Sequence, residues 1–360
     1  MEYRETKTWK EINETPSVIS KIFEINADTM SKLVKEIKES KITNFVTAGR
    51  GSSNHAIVYF KYLMEIMSNY TVGLSAPSIV TLYRGKTNYA NSIILGVSSS
   101  GKAEDVIEVV KKGNEEGAIT ISVTNNADSP LAKLAKYHLY CGAGEEESYV
   151  ATKTFTAETF ILAWLGCALS NNKNDIDILK SFKLDLDHIL PEIDEITTLY
   201  ANKFVDMKDC FVLSRGLCYP VALEASLLLQ ETCYIQAKGY ANSEFYHGPL
   251  AMVNKDTPVI IFCAEYDGDE EIQSIIRADQ IRFIEKMLSF HAPILLVTND
   301  IFIKGTFKKC YDAFLNFSVP EEFSVFAFTL FAQMFACKIS CLKGNNPDNS
   351  DKYEKEIITK

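Results

Sequence analysis

The sequence predicts an α/β protein made of two tandem copies of one domain, each built around a mainly parallel sheet. Three observations predict this. Short apolar runs alternate with helix-period segments along most of the 360 residues, the pattern of βαβ units. The alternation then repeats: NFVTAGRGSS near Phe45 is echoed by CFVLSRGLCYP near Phe211, IILGVSS near Ile93 by VIIFCAE near Ile260, and ITISVTNN near Ile121 by ILLVTND near Leu295, at offsets of roughly 165 to 175 residues. Glycine- and serine-rich turns follow two of the apolar runs in the first copy, where open parallel sheets bind ligands.

In order along the chain, residues 1–40 read as a polar lead-in and two helical segments, 17–25 and 27–39. A strand at 44–48 runs into Gly49-Arg50-Gly51-Ser52-Ser53-Asn54, and the helix after it turns Ala56, Tyr59, Tyr62, Leu63 and Ile66 inward. Next come a strand near 70–75, a connecting helix, a strand at 92–97, the turn Ser98-Ser99-Ser100-Gly101-Lys102, a helix at 103–113 and a strand at 118–123. An apolar helix covers 155–169, and the charged stretch 172–208 reads as connecting helices around Pro191. Pro220 suits the first turn of a helix that continues over 221–235. The expected division is an N-terminal helical segment at 1–26, a first domain at 27–175, a helical linker at 176–205, a second domain at 206–340 and a polar tail at 341–360.

Composition excludes several functions. A chain that is 47% hydrophobic and 23% charged is an ordinary globular protein, and 360 residues suffice for two full cores. A net charge of −10 argues against nucleic acid or an anionic membrane surface as partner. Residues 1–14 lack a signal-peptide pattern, and no apolar run is expected to reach the roughly 18–20 residues needed to span a bilayer. Nine scattered cysteines without CxxC spacing fit reduced thiols in a cytoplasmic protein. The five histidines show no ligand spacing, so neither a metal nor another cofactor is expected.

The candidate chemistry lies in two places. Gly49, Ser52, Ser53, Ser98, Ser99 and Ser100 present hydroxyls and free backbone N–H groups at two helix N-termini, which suits a dianionic phosphate. Taken singly, either turn could be a helix N-cap; together they favour a ligand. The first turn is neither a dinucleotide fingerprint, since Asn54 stands where a third glycine is needed, nor a P-loop. In the second copy, Glu224, Leu228 and Glu231 fall at i, i+4 and i+7 and share one helix face. Carboxylates in so apolar a run need a partner or a task, and a general base is the functional reading. Glu244 and His247 follow in the breaker-rich turn before Gly248-Pro249.

The stretch LSRGLCYPVALEASLLLQE, a short spacer and EFYHGPLA resemble the second sugar-isomerase (SIS) domain of the isomerase half of glucosamine-6-phosphate synthase and of stand-alone phosphosugar deaminases and deglycases. The resemblance runs from about residue 30 to the C-terminus, and Ser53, Ser98, Ser100 and Thr152-Lys153 meet the family's phosphate-turn pattern. It implies two SIS domains, each a five-stranded, flavodoxin-like three-layer αβα unit. It implies a substrate set of Gly49, Ser52, Ser53, Ser98, Ser99, Ser100, Ala103, Val150, Ala151 and Thr152, with Ala103 replacing a family threonine. By the same resemblance Glu231 moves a proton between sugar carbons 1 and 2, Glu224 orients the site, and His247 handles ring opening from a neighbouring subunit, so a homodimer with a shared site is expected.

Departures from the synthase suggest which branch applies. No glutaminase half is visible, since the earliest cysteine is Cys141. Leu228 stands where the synthase has a lysine, and Asp351 replaces its tail arginine. Lys355 keeps the place of the tail lysine, with an enediol-stabilising or imine-forming role implied. The wording SEFYHGPL and Asn346-Pro347-Asp348 is closer to fructoselysine-6-phosphate-type deglycases. The expected activity is therefore at C1/C2 of an amine-bearing 6-phosphosugar, as a deglycase or deaminase. The alternatives are aldose–ketose isomerisation without amine release and a non-catalytic phosphosugar sensor.

Overall fold

The computed structural model describes residues 1–170, 172 and 174–350, in two compact units. One holds residues 14–183 and the other residues 1–13 with 184–350. Both boundaries fall inside long helices: α1 (Lys7–Ser40) and α7 (Asp175–Phe204). Each is continuous where the sequence suggested separate helices, since Pro16 lies inside α1 and Pro191 inside α7. A proline costs a helix one hydrogen bond but does not sever it when packing holds both sides. The first thirteen residues group with the second copy, which no sequence pattern announced.

The first unit contains β1 (Asn44–Ala48), α2 (Gly51–Met67), β2 (Thr71–Leu74), α3 (Ser78–Thr81), β3 (Ile93–Val97), α4 (Glu104–Glu115), β4 (Ile119–Thr124), α5 (Pro130–Leu134), β5 (Tyr137–Tyr140) and α6 (Lys153–Leu169). Its five strands are all parallel, in the order β2-β1-β3-β4-β5. Every residue of β3 and β4 is buried, as expected of inner strands covered on both faces. On α2 the inward face includes Ala56, Tyr59 and Leu63, whereas Ile66 is 61% exposed; Phe60 and Met64 take the buried places instead. The apolar stripe of α2 is therefore turned by part of a residue step from the one the spacing suggested.

The second unit repeats the topology. It contains β6 (Asp209–Ser214), α8 (Tyr219–Cys233), β7 (Gln236–Ala241), α9 (Asn242–Phe245), β8 (Val259–Cys263), α10 (Glu270–Ser289), β9 (Ile294–Thr298), α11 (Ile301–Thr306), β10 (Tyr311–Phe314) and α12 (Glu321–Leu342). The parallel order β10-β9-β8-β6-β7 is the same winding read from the other edge. Strands β5, β7 and β10 went unpredicted because edge strands are short and half-exposed and carry little hydrophobic signal.

Helix α12 corrects one expectation. By length and mean hydropathy (1.7) it could cross a bilayer, but 94% of that stretch is buried in the unit. It lies against α8, where the Ser340 hydroxyl and the Asn345 amide donate to the Thr232 carbonyl at 2.9 and 3.2 Å. These bonds satisfy a carbonyl of the last turn of α8, which has no intrahelical donor. Lys338, 2% exposed, is neutralised by Asp194 at 2.5 Å and lies over the rings of Tyr3 and Trp9. The Asp348 carboxylate accepts from the backbone N–H groups of Lys7 (2.9 Å) and Thr8 (2.8 Å) and so caps α1. The Asn-Pro-Asp stretch of the tail is thus anchored rather than frayed.

The close approach of β7 to α8 requires glycine at 239. A Cβ there would lie 2.7 Å from the Ala222 carbonyl oxygen and 3.0 Å from Leu223 Cα, both backbone atoms. Gly239→Ala is expected to lower the stability of the second unit by about 1–3 kcal/mol, read as a shift of the denaturant midpoint at unchanged slope.

Candidate functional site

In both units the winding reverses direction beside the first strand of the copy, between β1 and β3 and between β6 and β8, and leaves a crevice at the carboxyl ends of those strands. In each copy an Arg-Gly pair opens the turn there. Arg50 and Arg215 are extended N-caps, and Gly51 (φ 51°) and Gly216 (φ 63°) take the left-handed conformation that glycine adopts without strain.

The first copy places most of the expected phosphate residues at this crevice. Gly49 is where the backbone must pass closest, since a Cβ would meet Ile57 Cδ1 at 2.6 Å and the Val97 carbonyl oxygen at 3.2 Å. Ser52 and Ser53 open α2, and the Ser53 hydroxyl donates to Glu158 Oε1 at 3.1 Å. After β3, the Ser98 and Ser100 hydroxyls accept from the N–H groups of Gly101 and Lys102, each at 3.2 Å. Those two hydroxyls therefore act as acceptors within the turn, and their own protons remain for a ligand oxygen. The Ser99 carbonyl accepts from Asn125 N–H at 2.8 Å, and Ala103 caps α4 without a side-chain bond.

The remaining three residues sit at the start of α6. Val150 is buried and Ala151 half-buried. Thr152 is fully buried, and its N–H and hydroxyl donate to Glu146 Oε1 at 2.9 and 3.1 Å. Thr154 adds its N–H and hydroxyl to the same carboxylate, at 3.1 and 2.7 Å. The negative charge favoured at the N-terminus of α6 is thus supplied by the chain itself. Sequence reasoning missed Glu146 and Glu158, and it missed the ion pair in which Arg50 Nε meets Asp105 Oδ2 at 2.6 Å. No periodicity marks a carboxylate that serves a turn many residues away.

The second copy lacks this hydroxyl set. Leu217 and Cys218, both buried, follow Gly216 where serines follow Gly51. Its crevice holds a cavity of about 10 Å³, with Arg215, Asn242, Cys263 and Glu321 among its lining residues, enough for one water. Burial and the neighbouring charges of Glu322 and Asp267 push the Glu321 carboxyl up to about 7. What this copy carries instead is the α8 face: Glu224 is fully buried, Leu228 is 2% exposed and Glu231 is half-buried. His247 is exposed on the turn after α9; its N–H donates to the Glu244 carbonyl at 3.0 Å, and its ring bonds to no described residue. The fold therefore keeps Glu224, Leu228 and Glu231 on one helix, with His247 on a separate turn. Lys355 and Asp351 lie outside the described residues.

A family pattern, that of the SIS domain, matches residues 37–166 and 203–300, covering most of both copies. The chain belongs to the SIS-domain family. Its two parallel five-stranded sheets are two tandem SIS domains. Glutamine–fructose-6-phosphate aminotransferase (isomerizing) of Sulfolobus acidocaldarius is 26% identical over 354 residues, spanning 97% of this chain and 56% of that protein. The chain thus spans about half the length of the curated relatives it matches. The C-terminal domain of glucosamine-fructose-6-phosphate aminotransferase from Francisella tularensis superposes with a TM-score of 0.78 at 22% identity, covering 96% of this chain and 98% of that one. Glucosamine-6-phosphate deaminase from Thermotoga maritima gives a TM-score of 0.74 at 20% identity, covering 98% of this SIS protein and all of that chain. At these identities the two structures establish the fold.

The raised Glu321 gives a pH signature. Its native pKa of about 7 lies above its ordinary 4.5, so the fold favours the neutral acid. The resulting stability is whole below about 4.5 and is lost as pH rises through about 7. Glu321→Gln is expected to flatten the fall in unfolding free energy between pH 5 and 8, a fall of up to about 3 kcal/mol in chemical denaturation.

Proposed function

We propose that this SIS protein is an enzyme acting at C1/C2 of an amine-bearing 6-phosphosugar, releasing the amine and a 6-phosphosugar. One observation carries the reading: the two copies have diverged into complementary chemistries. The first keeps serine hydroxyls with protons to give, at Ser98 and Ser100 between two helix N-termini. The second has lost those hydroxyls and holds Glu224 and Glu231 on a mostly buried helix face. The first copy would anchor the phosphate, with Gly49, Ser52, Ser53 and Ser99 completing the turns, and the second would move protons.

For a 1-amino-1-deoxyfructose 6-phosphate, the Glu231 carboxylate takes a proton from C1 while O2 takes one from solvent, and the electron pair forms a C1–C2 enaminol. Protonation at C2 by the same carboxyl, with the amine N–H proton returned to solvent, gives the C1 imine. Water adds to that imine, and the amine leaves with a proton to yield glucose 6-phosphate. A positioned base of this kind typically supplies 10²–10⁴ in rate. Glu224 orients Glu231, and His247 protonates the ring oxygen or leaving amine. The exposed His247 ring, which bonds to no described residue, favours donation to a second copy in a homodimer. Lys355 would stabilise the enaminol. Nine buried cysteines, several with pKa values raised by burial, favour a reducing compartment such as the cytoplasm.

The name of the Sulfolobus relative, an isomerizing aminotransferase, supports aldose–ketose isomerisation as a second reading. Products separate the two. Incubation with a panel of 6-phosphosugars and phosphorylated amine adducts should release amine in step with phosphosugar, and an aldose–ketose exchange without amine would favour the second reading. Leu228 brings no charge beside Glu231 where the synthase has a lysine, which suits a bulky amine better than a small ammonium, so an amine-substituted fructose 6-phosphate should show higher kcat/KM than glucosamine 6-phosphate. Glu231→Gln should lower kcat about 10²–10⁴-fold with KM little changed, whereas Lys355→Ala should cost much less. Verified mixed dimers of Glu231→Gln with His247→Ala should regain activity; no recovery would mean that each subunit uses its own histidine.

A further inference from the structure

Arg50 stands at the crevice of the first SIS domain without a role in the reading above. It is the N-cap of α2, between Gly49 and the serines, and its side chain is about half exposed. Its Nε is fixed at 2.6 Å by Asp105, a completely buried carboxylate in the first turn of α4, so the guanidinium spans from the end of β1 to the helix that follows β3. Asp105 is itself held, with Oδ1 accepting the Val106 N–H at 2.9 Å. One edge of the guanidinium is thereby committed. Its remaining N–H groups have no partner among the described residues, although a guanidinium carries five donors in a planar fork. The same crevice is short of a donor, because the residue that caps α4 is Ala103, which brings no hydroxyl.

Resting on the phosphosugar reading, we infer that Arg50 is a phosphate ligand, held in place by Asp105 and supplying the donor that Ala103 does not. Arg50 follows β1 and Ser98 and Ser100 follow β3, two strands that pair side by side, so both turns lie at neighbouring strand ends. A guanidinium edge fits two phosphate oxygens at once, as an ammonium does not. The paired Asp105 cancels much of its charge, so the gain lies in directed hydrogen bonds and is specific to the phosphorylated sugar. The counterpart in the second SIS domain shows what the pair does without a ligand. Arg215 bonds to Asp279 beside a cavity of about 10 Å³, too small for phosphate, so there the arginine only braces the turn. The experiment must therefore separate an anchor from a brace.

Calorimetric titration of the full chain with a sugar 6-phosphate, and with the same sugar lacking its phosphate, makes the distinction. Arg50→Gln is expected to weaken binding of the phosphorylated sugar about tenfold or more, in line with the loss of a charge-assisted bond. The unphosphorylated sugar should bind the folded variant as it does wild type, while the melting temperature falls because the buried Asp105 loses its cationic partner. Adding Ala103→Thr should recover part of the loss in Arg50→Gln and gain little in wild type, a non-additivity a brace would not produce. If the neutral side chain prevents folding, Arg50→Lys serves: it keeps the charge without the fork and should weaken only the phosphorylated sugar. Equal affinity of the folded variant and wild type for the phosphorylated sugar overturns the role of Arg50 while leaving the phosphosugar reading intact. Wild type that does not distinguish the two sugars overturns both.

Discussion

A parallel sheet covered on both faces has only its strand ends on which to display chemistry. Each of the two copies winds in the same order, with its inner strands wholly buried, so side chains that must meet solvent or ligand are pushed to the turns where strands give way to helices. The Arg-Gly turn after β1 and after β6 is the local solution: an extended residue, then a left-handed glycine, then a helix whose first N–H groups point into the crevice. The positions of the serines in the first SIS domain and of α8 in the second follow from that constraint.

The two copies share a backbone topology but differ in the side chains at their turns. Both crevices keep the arginine; the first has serines after its glycine, whereas the second has the buried Leu217 and Cys218 there and a carboxyl, Glu321, that burial keeps largely neutral below pH 7. A site that has lost its anion can bury an acid in its place. In the second copy the side chains with chemical potential have moved onto the helix itself, where α12 covers the other face of α8 and holds its last turn.

Much of this was legible in the sequence. The alternation and the internal repeat gave the α/β class and both sheets, and the turns at Gly49 and Ser98 fell where expected, because buried inner strands and glycine-serine turns both leave strong local signals. The edge strands β5, β7 and β10, short and half-exposed, left little signal, and the docking of residues 1–13 with the second copy left none, since its reason is a set of contacts hundreds of residues away. The same holds at the site. Ser98, Ser100, Glu224 and Glu231 could be picked out by residue type and spacing, but the Glu146 carboxylate on α6 and the Arg50–Asp105 pair exist only once the chain has folded.

The bond between Asp348 and Thr8 joins residues 340 positions apart, and Lys338 covers the Trp9 ring from nearly as far along the chain. At ordinary synthesis rates of about 5–20 residues per second, the ribosome needs roughly 20–70 s after making the first helix before it delivers the partners of that helix. During that interval Trp9 and Ile12, both buried in the finished protein, have no place to dock, while the strands of the first SIS domain are already available to pair. Residues 7–12 are therefore among the last parts of this fold to settle.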